Sequence, residues 1–480
     1  MNVFNQGILE EFINEGLFEV ETAGPLHHPI NELKVQRDQK LNIILTTSSA
    51  YDAKSVAVDH PPGTVRINED SIELRNREGF RVIMEGILPL SKTETTSCDG
   101  ETKRTELSSV SSVKAVIQSQ YTTPIKYLVE RLENVDSGYY LWPDSVDTET
   151  STQTLISIGP KGNTVEIPCG SSTSGSASRC LQLTIGGHSL YLISSGEDQR
   201  SLGVKSGFLL YLEPPEKGIR KKIRNCLSFV LGRPLVEMGH STFDFEWNLI
   251  SFEEISAYSM GGTAFSMHTL PPYPTGKAYQ GELDKIIVEP LLNSLYLRYE
   301  ELKFGHLSWT YWHANTAPIH IAAVHFGSCM ESLQNSYIEN HGKIFQTSLM
   351  ERTAWKAFRP KLIGILSETE VNEEEKEVLT NKINSLNQTP QSILTDRFLD
   401  HLELKLSEDE KKAWKQRNNA AHGREIEVGK EIQLVRELKI LKVIFHRVLL
   451  KIISGSGYYI DYYSIGFPIK SLADPIVDKN

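Results

Sequence analysis

Residues 407–453 read SEDEKKAWKQRNNAAHGREIEVGKEIQLVRELKILKVIFHRVLLKII, and this stretch decides the character of the C-terminal half. Ser407-Glu408-Asp409-Glu410 is a capping box, in which a serine and a glutamate three residues on satisfy each other's backbone N–H groups, so a helix should start here. It carries Trp414 and runs into Arg417. Asn418 and Asn419 are poor helix-interior residues, so a junction between two helices is expected there. Beyond it, Val428, Ile432, Val435, Leu438, Leu441, Phe445, Val448 and Ile452 recur at helical spacing. That apolar stripe predicts one long helix, the spine of a helical bundle or a dimer surface. Ser454-Gly455-Ser456-Gly457 ends it, and the aromatic tail from Tyr458 is expected to pack back on the body.

The same stretch holds the chemistry. Arg417 and His422 lie five residues apart, preceded by Lys411, Lys412 and Lys415 and followed by Arg424. A guanidinium grips a phosphate with two parallel hydrogen bonds, and an imidazole moves protons near neutral pH. Those two groups suffice for RNA cleavage through the 2′-hydroxyl, in which a base activates the hydroxyl and a cation stabilises charge on phosphorus. Positions five apart on an unbroken helix point about 140° from each other. The pair would therefore converge across a helix junction or meet the same pair from a second chain. On spacing alone, a solvated loop between helices is the better reading.

Working outward, the pattern is helical from about residue 280. Leu283–Leu302, Ile319–Ile338, Thr353–Leu366 (interrupted by Pro360), Glu373–Leu386 and Ile393–Leu406 are the expected helices. Residues 1–215 are β-rich, with short β-branched runs at 41–46, 64–67, 71–74, 80–84, 155–158, 180–185, 189–193 and 208–212. Gly186-Gly187 between two of these runs signals a tight hairpin. The spacing of the runs suggests a sandwich or barrel-like domain. Two polar stretches, Ser91–Lys114 and Gly170–Ser178, read as exposed loops. Pro214-Pro215 closes the region, and a basic helical start at Ile219–Arg224 opens a mixed connecting segment over 216–280. The fold class is thus α+β: a β-rich region over 1–215, the connector, a helical domain over 281–460 and a tail over 461–480.

Composition sets limits. The 480 residues carry a formal net charge of −11, so a nucleic-acid site must be a local basic patch on an acidic background. Met1–Phe12 lacks a basic flank and is not a secretory signal, and no apolar run reaches the length of a membrane span. Five scattered cysteines suit reduced thiols in a cytoplasmic protein. Cys169 and Cys180 flank a polar stretch and could pair, although a coincidence of spacing fits better. His306, His313, His320 and His325 cluster in sequence without the i,i+4 spacing of a helical metal pair, and no glycine-rich phosphate loop or dinucleotide fingerprint is present. No metal and no cofactor is expected.

Arg417-Asn418 followed by His422-Gly423 resembles the Arg-x4–6-His motif of HEPN domains, in the form with Asn directly after Arg. The segment around Cys329–Leu333 is similar to the first long helix of the ApeA-like subgroup. The segment Leu441–Tyr459, a long helix and then Gly-x-Gly-Tyr-Tyr, resembles the same subgroup. Leu227–Gly239 is similar to the segment that joins a β-rich region to HEPN in these proteins. The resemblance covers roughly residues 300–460. It implies an α-helical HEPN bundle that forms a homodimer and cleaves RNA without a metal, often transfer RNA, in anti-phage defence by abortive infection. It assigns His422 as acid–base residue and Arg417 as phosphate grip, with Asn418 in support. Lys411, Lys412, Lys415 and Arg424 would supply non-specific backbone affinity. The β-rich region would sense a phage-derived trigger. The competing expectation is a module that binds RNA or protein without cutting.

Overall fold

The protein is described by a computed structural model covering residues 8–477, except for 17, 25, 27–29, 53–70, 78–79, 100, 119–122, 137–140, 159–164, 196–204, 258–270, 277–281, 343 and 422–428. The chain divides into two compact units. The first comprises Met1–Pro271 with Thr275–Tyr296, the second Pro272–Pro274 with Leu297–Asn480. A large antiparallel sheet precedes a set of helices, an α+β organisation.

In the first unit α1 (Ile8–Glu15) precedes β1 (Glu19–Thr22), β2 (Ile30–Arg37), β3 (Ile43–Asp52), β4 (Ile72–Arg75), β5 (Arg81–Asp99), β6 (Glu101–Gln118), β7 (Tyr127–Asp136), β8 (Asp144–Ile158), β9 (Val165–Ile185), β10 (His188–Ser194) and β11 (Lys205–Tyr211). Then come α2 (Lys217–Leu231), β12 (Val236–Phe243), β13 (Leu249–Ile255) and α3 (Lys285–Leu297). Thirteen strands hydrogen-bond in the order β1-β4-β5-β6-β13-β12-β7-β11-β10-β9-β8, with β2 and β3 joined at β6. Two of them, β12 and β13, come from beyond residue 215 and lie between β6 and β7. Leu9 and Ile13 of α1 pack on Val35, Ile72, Val82 and Phe252.

The hairpin expected at Gly186-Gly187 is present, pairing Ile185 with His188. Both glycines have positive φ, 58° and 85°, as a type I′ turn requires. Helix α3 grips it: Gly186 N donates to Asn293 Oδ1 and Thr184 N to Glu289 Oε2, each at 2.9 Å. The loops expected at Ser91–Lys114 and Gly170–Ser178 are strands instead. The first lies in β5 and β6, which pair from Arg81↔Gln118 to Asp99↔Glu101, and the second in β9 against β8. Serine and threonine there resemble loop composition, yet the backbone ladder is indifferent to side-chain polarity and threonine suits a pleated strand. Cys180 is a free, buried thiol, so the conceivable bridge to Cys169 is not formed. The strand expected at 64–67 lies outside the described residues.

Consecutive β7 residues point to opposite faces, and both are buried charges. Glu130 accepts from Arg220 and Arg224 of α2, each at 3.1 Å. Arg131 meets Glu254 at 2.6 Å, and Glu254 also pairs with Arg37. A basic run such as Ile219–Arg224 usually forms a solvated helix face; in the fold two of its arginines are buried against Glu130 because the sheet supplies a carboxylate there.

The second unit contains α4 (Phe304–Thr316), α5 (Ile319–Asn340), α6 (Arg352–Ser367), α7 (Glu373–Ser385), α8 (Gln391–His401), α9 (Glu408–Ala421), α10 (Glu431–Ile453), β14 (Tyr458–Ile460) and β15 (Ile469–Ser471). Helix α6 runs through Pro360 without a break. The apolar stripe expected on α10 is only partly core. Ile432 and Val435 are exposed, Val428 lies outside the described residues, and from Ile440 to Ile453 the helix is buried on almost every side. Residues 458–477 return to the body as expected, with Tyr459, Leu472 and Ile476 buried.

Candidate nucleic-acid site on helix α9

The capping box forms as the sequence predicts. Glu410 N donates to Ser407 Oγ at 3.2 Å, and Ser407 N donates to Glu410 Oε2 at 3.0 Å. The helix then continues in its backbone through Arg417, Asn418 and Asn419 to Ala421, so no helix junction falls at the two asparagines. Each asparagine costs only ~0.5–0.7 kcal/mol relative to alanine in a helix, less than the cap and the neighbouring helix formers supply. The side chains of residues 416–421, including Arg417 and Asn418, and all of residues 422–428, including His422 and Arg424, lie outside the described residues.

Beneath the helix sits an ion pair the sequence did not suggest. Glu410 Oε1 accepts from Arg447 Nη1 at 2.5 Å and from Ile476 N at 3.1 Å. Both side chains are essentially inaccessible, at 0% and 1% exposure. Arg447 also donates to the carbonyls of Leu472 and Lys405. One buried pair therefore ties the first turn of α9 to α10, to the loop before α9 and to the C-terminal tail. Removing one partner of such a pair strands the other charge at a cost of ~3–5 kcal/mol. The signal in the sequence was the charge inside an apolar run, since Arg447 interrupts Val443–Leu450.

The three candidate lysines sit on the exposed side of α9. Lys411 holds Glu408 at 2.9 Å and Lys412 holds Asp409 at 3.6 Å, both i,i+3 pairs. The Lys411 ammonium keeps the Glu408 carboxyl below the usual carboxylate range. Lys415 has no ion pair among the described residues. Lys411, Trp414 and Lys415 recur at helical spacing and line a groove of about 900 Å³. Its other walls include Glu331 of α5 and Ser392, Thr395, Asp396 and Asp400 of α8. The size lies in the range of ligand sites, ~300–1,000 Å³. Positions 417 and 418 follow Trp414 by one turn of the helix backbone, ~5.4 Å along its axis.

A second buried polar cluster lies on α10. Tyr311 and His446 share a hydrogen bond of 2.8 Å in the core. Burial, with the Lys442 charge adding to it, drives the His446 pKa well below its ordinary value. The imidazole is neutral in the fold. Burial also pushes the Lys442 ammonium down to about 8. The histidines of α4 do other work: His313 and His306 flank Trp309, with ring centroids 4.1 and 6.2 Å away. Among the described residues no group of three or more His, Cys, Asp or Glu is placed to hold a metal ion. No helix among them is long and apolar enough to cross a membrane. Compared with models of protein families, with curated proteins and with solved structures, the chain gave no match.

Proposed function

We propose that the second unit is a HEPN ribonuclease, with Arg417 and His422 as its catalytic pair and the first unit as its regulator. The single observation that carries this reading is α9 itself. It is a capped helix anchored by a buried ion pair, bearing Lys411, Lys415 and Trp414 on a groove one turn before Arg417. An anchored helix holds a phosphate grip in fixed register, which catalysis by positioning demands. In this scheme His422 takes the 2′-hydroxyl proton as the 2′-oxygen attacks phosphorus, and the imidazolium so formed returns it to the 5′-oxygen as the bond from phosphorus to that oxygen breaks. Arg417 stabilises the charge on the phosphoryl oxygens, and Asn418 supports it. The products are a cyclic phosphate and a 5′-hydroxyl. No metal or cofactor takes part. Two copies in a homodimer would bring their Arg–His pairs together, in the cytoplasm, and a phage-derived trigger acting on the β-rich unit would release the activity.

The test compares wild type, Arg417→Ala and His422→Ala on transfer RNA in the presence of a chelator and, in cells, before and after phage challenge. Fragments with cyclic-phosphate ends from wild type alone are expected. Variants that cut like wild type would remove these residues from the mechanism. Tight binding without fragments, even after phage challenge, would leave an RNA-binding module.

A further inference from the structure

Helix α6 combines a concentrated positive charge with very little cover. It carries Arg352, Lys356, Arg359 and Lys361 and no carboxylate, on a chain of net charge −11. Leu366 is its one buried residue, and from 352 to 361 every residue except the half-buried Trp355 is exposed. The four cations occupy ~14 Å of helix axis. Cations in the first turns oppose the helix macrodipole, so they weaken the helix that bears them. Arg359 Nε donates to Asn384 Oδ1 at 2.7 Å, whereas Arg352, Lys356 and Lys361 stand in no ion pair among the described residues.

At 100° per residue, Arg352 and Lys356 form one edge of the open face, and Lys361 with Phe358 forms the other. Thr353, Ala357, Pro360 and Gly364 lie between the edges, and a Cβ added at Gly364 would meet nothing within 4 Å. A polyanion can therefore lie close to the helix backbone with positive charge on both sides and the Phe358 ring, 39% exposed, at its margin. The carboxylates of the hairpin are kept apart from this face: Glu373, Glu374, Glu375 and Glu377 open α7 at the tip, while the cations lie toward the base. That base is tied to α8. Thr389 N donates to Thr347 O at 3.1 Å, and Arg397 of α8 donates to Gln346 O. Helix α8 in turn supplies Gln391 and Ser392 to the wall of the groove that holds Trp414 and Lys415.

We propose that α6 is a second RNA-binding surface, gripping the sugar–phosphate backbone of the RNA that α9 presents to Arg417 and His422. The identity of the polyanion rests on the RNA-cleaving reading; the surface itself lies outside the residues of that reading. Cations flanking a bare stripe recognise a backbone rather than a sequence, so α6 sets affinity while the catalytic pair acts on what it holds.

The experiment follows the fluorescence anisotropy of a labelled single-stranded RNA, methylated at every 2′-oxygen so that it cannot be cut through its 2′-hydroxyls, with the full wild-type chain over a range of salt. Arg352→Gln/Lys356→Gln/Lys361→Gln should lower the slope of log affinity against log salt by about 2, at about 0.7 per lost phosphate contact. Affinity should then fall roughly a hundredfold at about 0.1 M salt and hardly at all at about 1 M. Glu374→Gln/Glu377→Gln on the same hairpin should not weaken binding. A triple variant that binds like wild type overturns the proposal and leaves the nuclease reading standing. A loss of equal size at low and high salt overturns it too, because contacts made through charge must weaken with salt. Wild type that binds phosphatidylglycerol vesicles and ignores the RNA would make α6 a lipid-binding surface instead. If the triple variant loses affinity as expected while Arg417→Ala and His422→Ala still cut transfer RNA, the α6 surface stands and the catalytic assignment falls.

Discussion

Arg447→Met tests the anchoring of α9 directly. In the native protein Glu410 is 0% exposed, and Arg447 sits 2.5 Å from it at 1% exposure. Methionine fills much of the same volume but leaves a carboxylate in the interior, with Ile476 N–H and Ser407 N–H as its remaining donors. Stranding a buried charge costs ~3–5 kcal/mol. Glu410→Gln leaves Arg447 with the carbonyls of Leu472 and Lys405 but has one acceptor oxygen where the carboxylate has two, so it can serve Ser407 N or Ile476 N and not both. It loses the charge-assisted bond to Arg447, worth ~1.5–3 kcal/mol, and in addition leaves one of the two backbone N–H groups without its acceptor. The double variant should cost less than the sum of the two by at least ~1 kcal/mol, since the residues are in contact. Urea unfolding followed by circular dichroism measures the stabilities. Hydrogen exchange at the α9 amides shows where the loss falls, with the first turn of α9 opening before the middle of α10. An Arg447→Met variant within ~1 kcal/mol of wild type, or strictly additive losses, would refute the idea that this pair holds α9 in place.

Two further outcomes follow from the same geometry. Lys415→Ala should weaken RNA binding and lower the slope of log affinity against log salt by about 1; Lys411→Ala should do less, because Lys411 is already engaged by Glu408. Affinity measured at several salt concentrations decides this, and equal effects would show that the Lys411 pair opens on binding. The neutral, buried His446 sets a pH dependence: the unfolded chain takes up a proton as pH falls through ~6.5, which the fold refuses, so stability drops by up to ~1.4 kcal/mol per pH unit below that point. His446→Gln, which can still bond Tyr311, should shrink the difference between urea midpoints at pH 7.5 and pH 5.5; an unchanged difference would mean His446 protonates within the fold.

Local rules made much of this protein legible before folding was considered. The capping box at Ser407–Glu410 and the Gly186-Gly187 turn each depend on a few neighbouring residues, so short stretches of chain determined them. The helices of residues 319–338 and 373–386 were legible from apolar spacing, although α4 between 304 and 316 was not, because it buries the polar Ser308 and Thr310 while Trp309 is exposed, which blurs the period. Tertiary structure decided what composition cannot encode. Ser91–Lys114 became strand because its two parts, in β5 and β6, pair with each other, and β3 lies alongside β6 to accept the rest of its backbone. Arg220 and Arg224 turned inward because Glu130 waits on the sheet. Glu410 found Arg447 thirty-seven residues away. These charged groups take their places in the interior because a partner of opposite charge stands there, and in each pair that partner comes from a distant part of the chain.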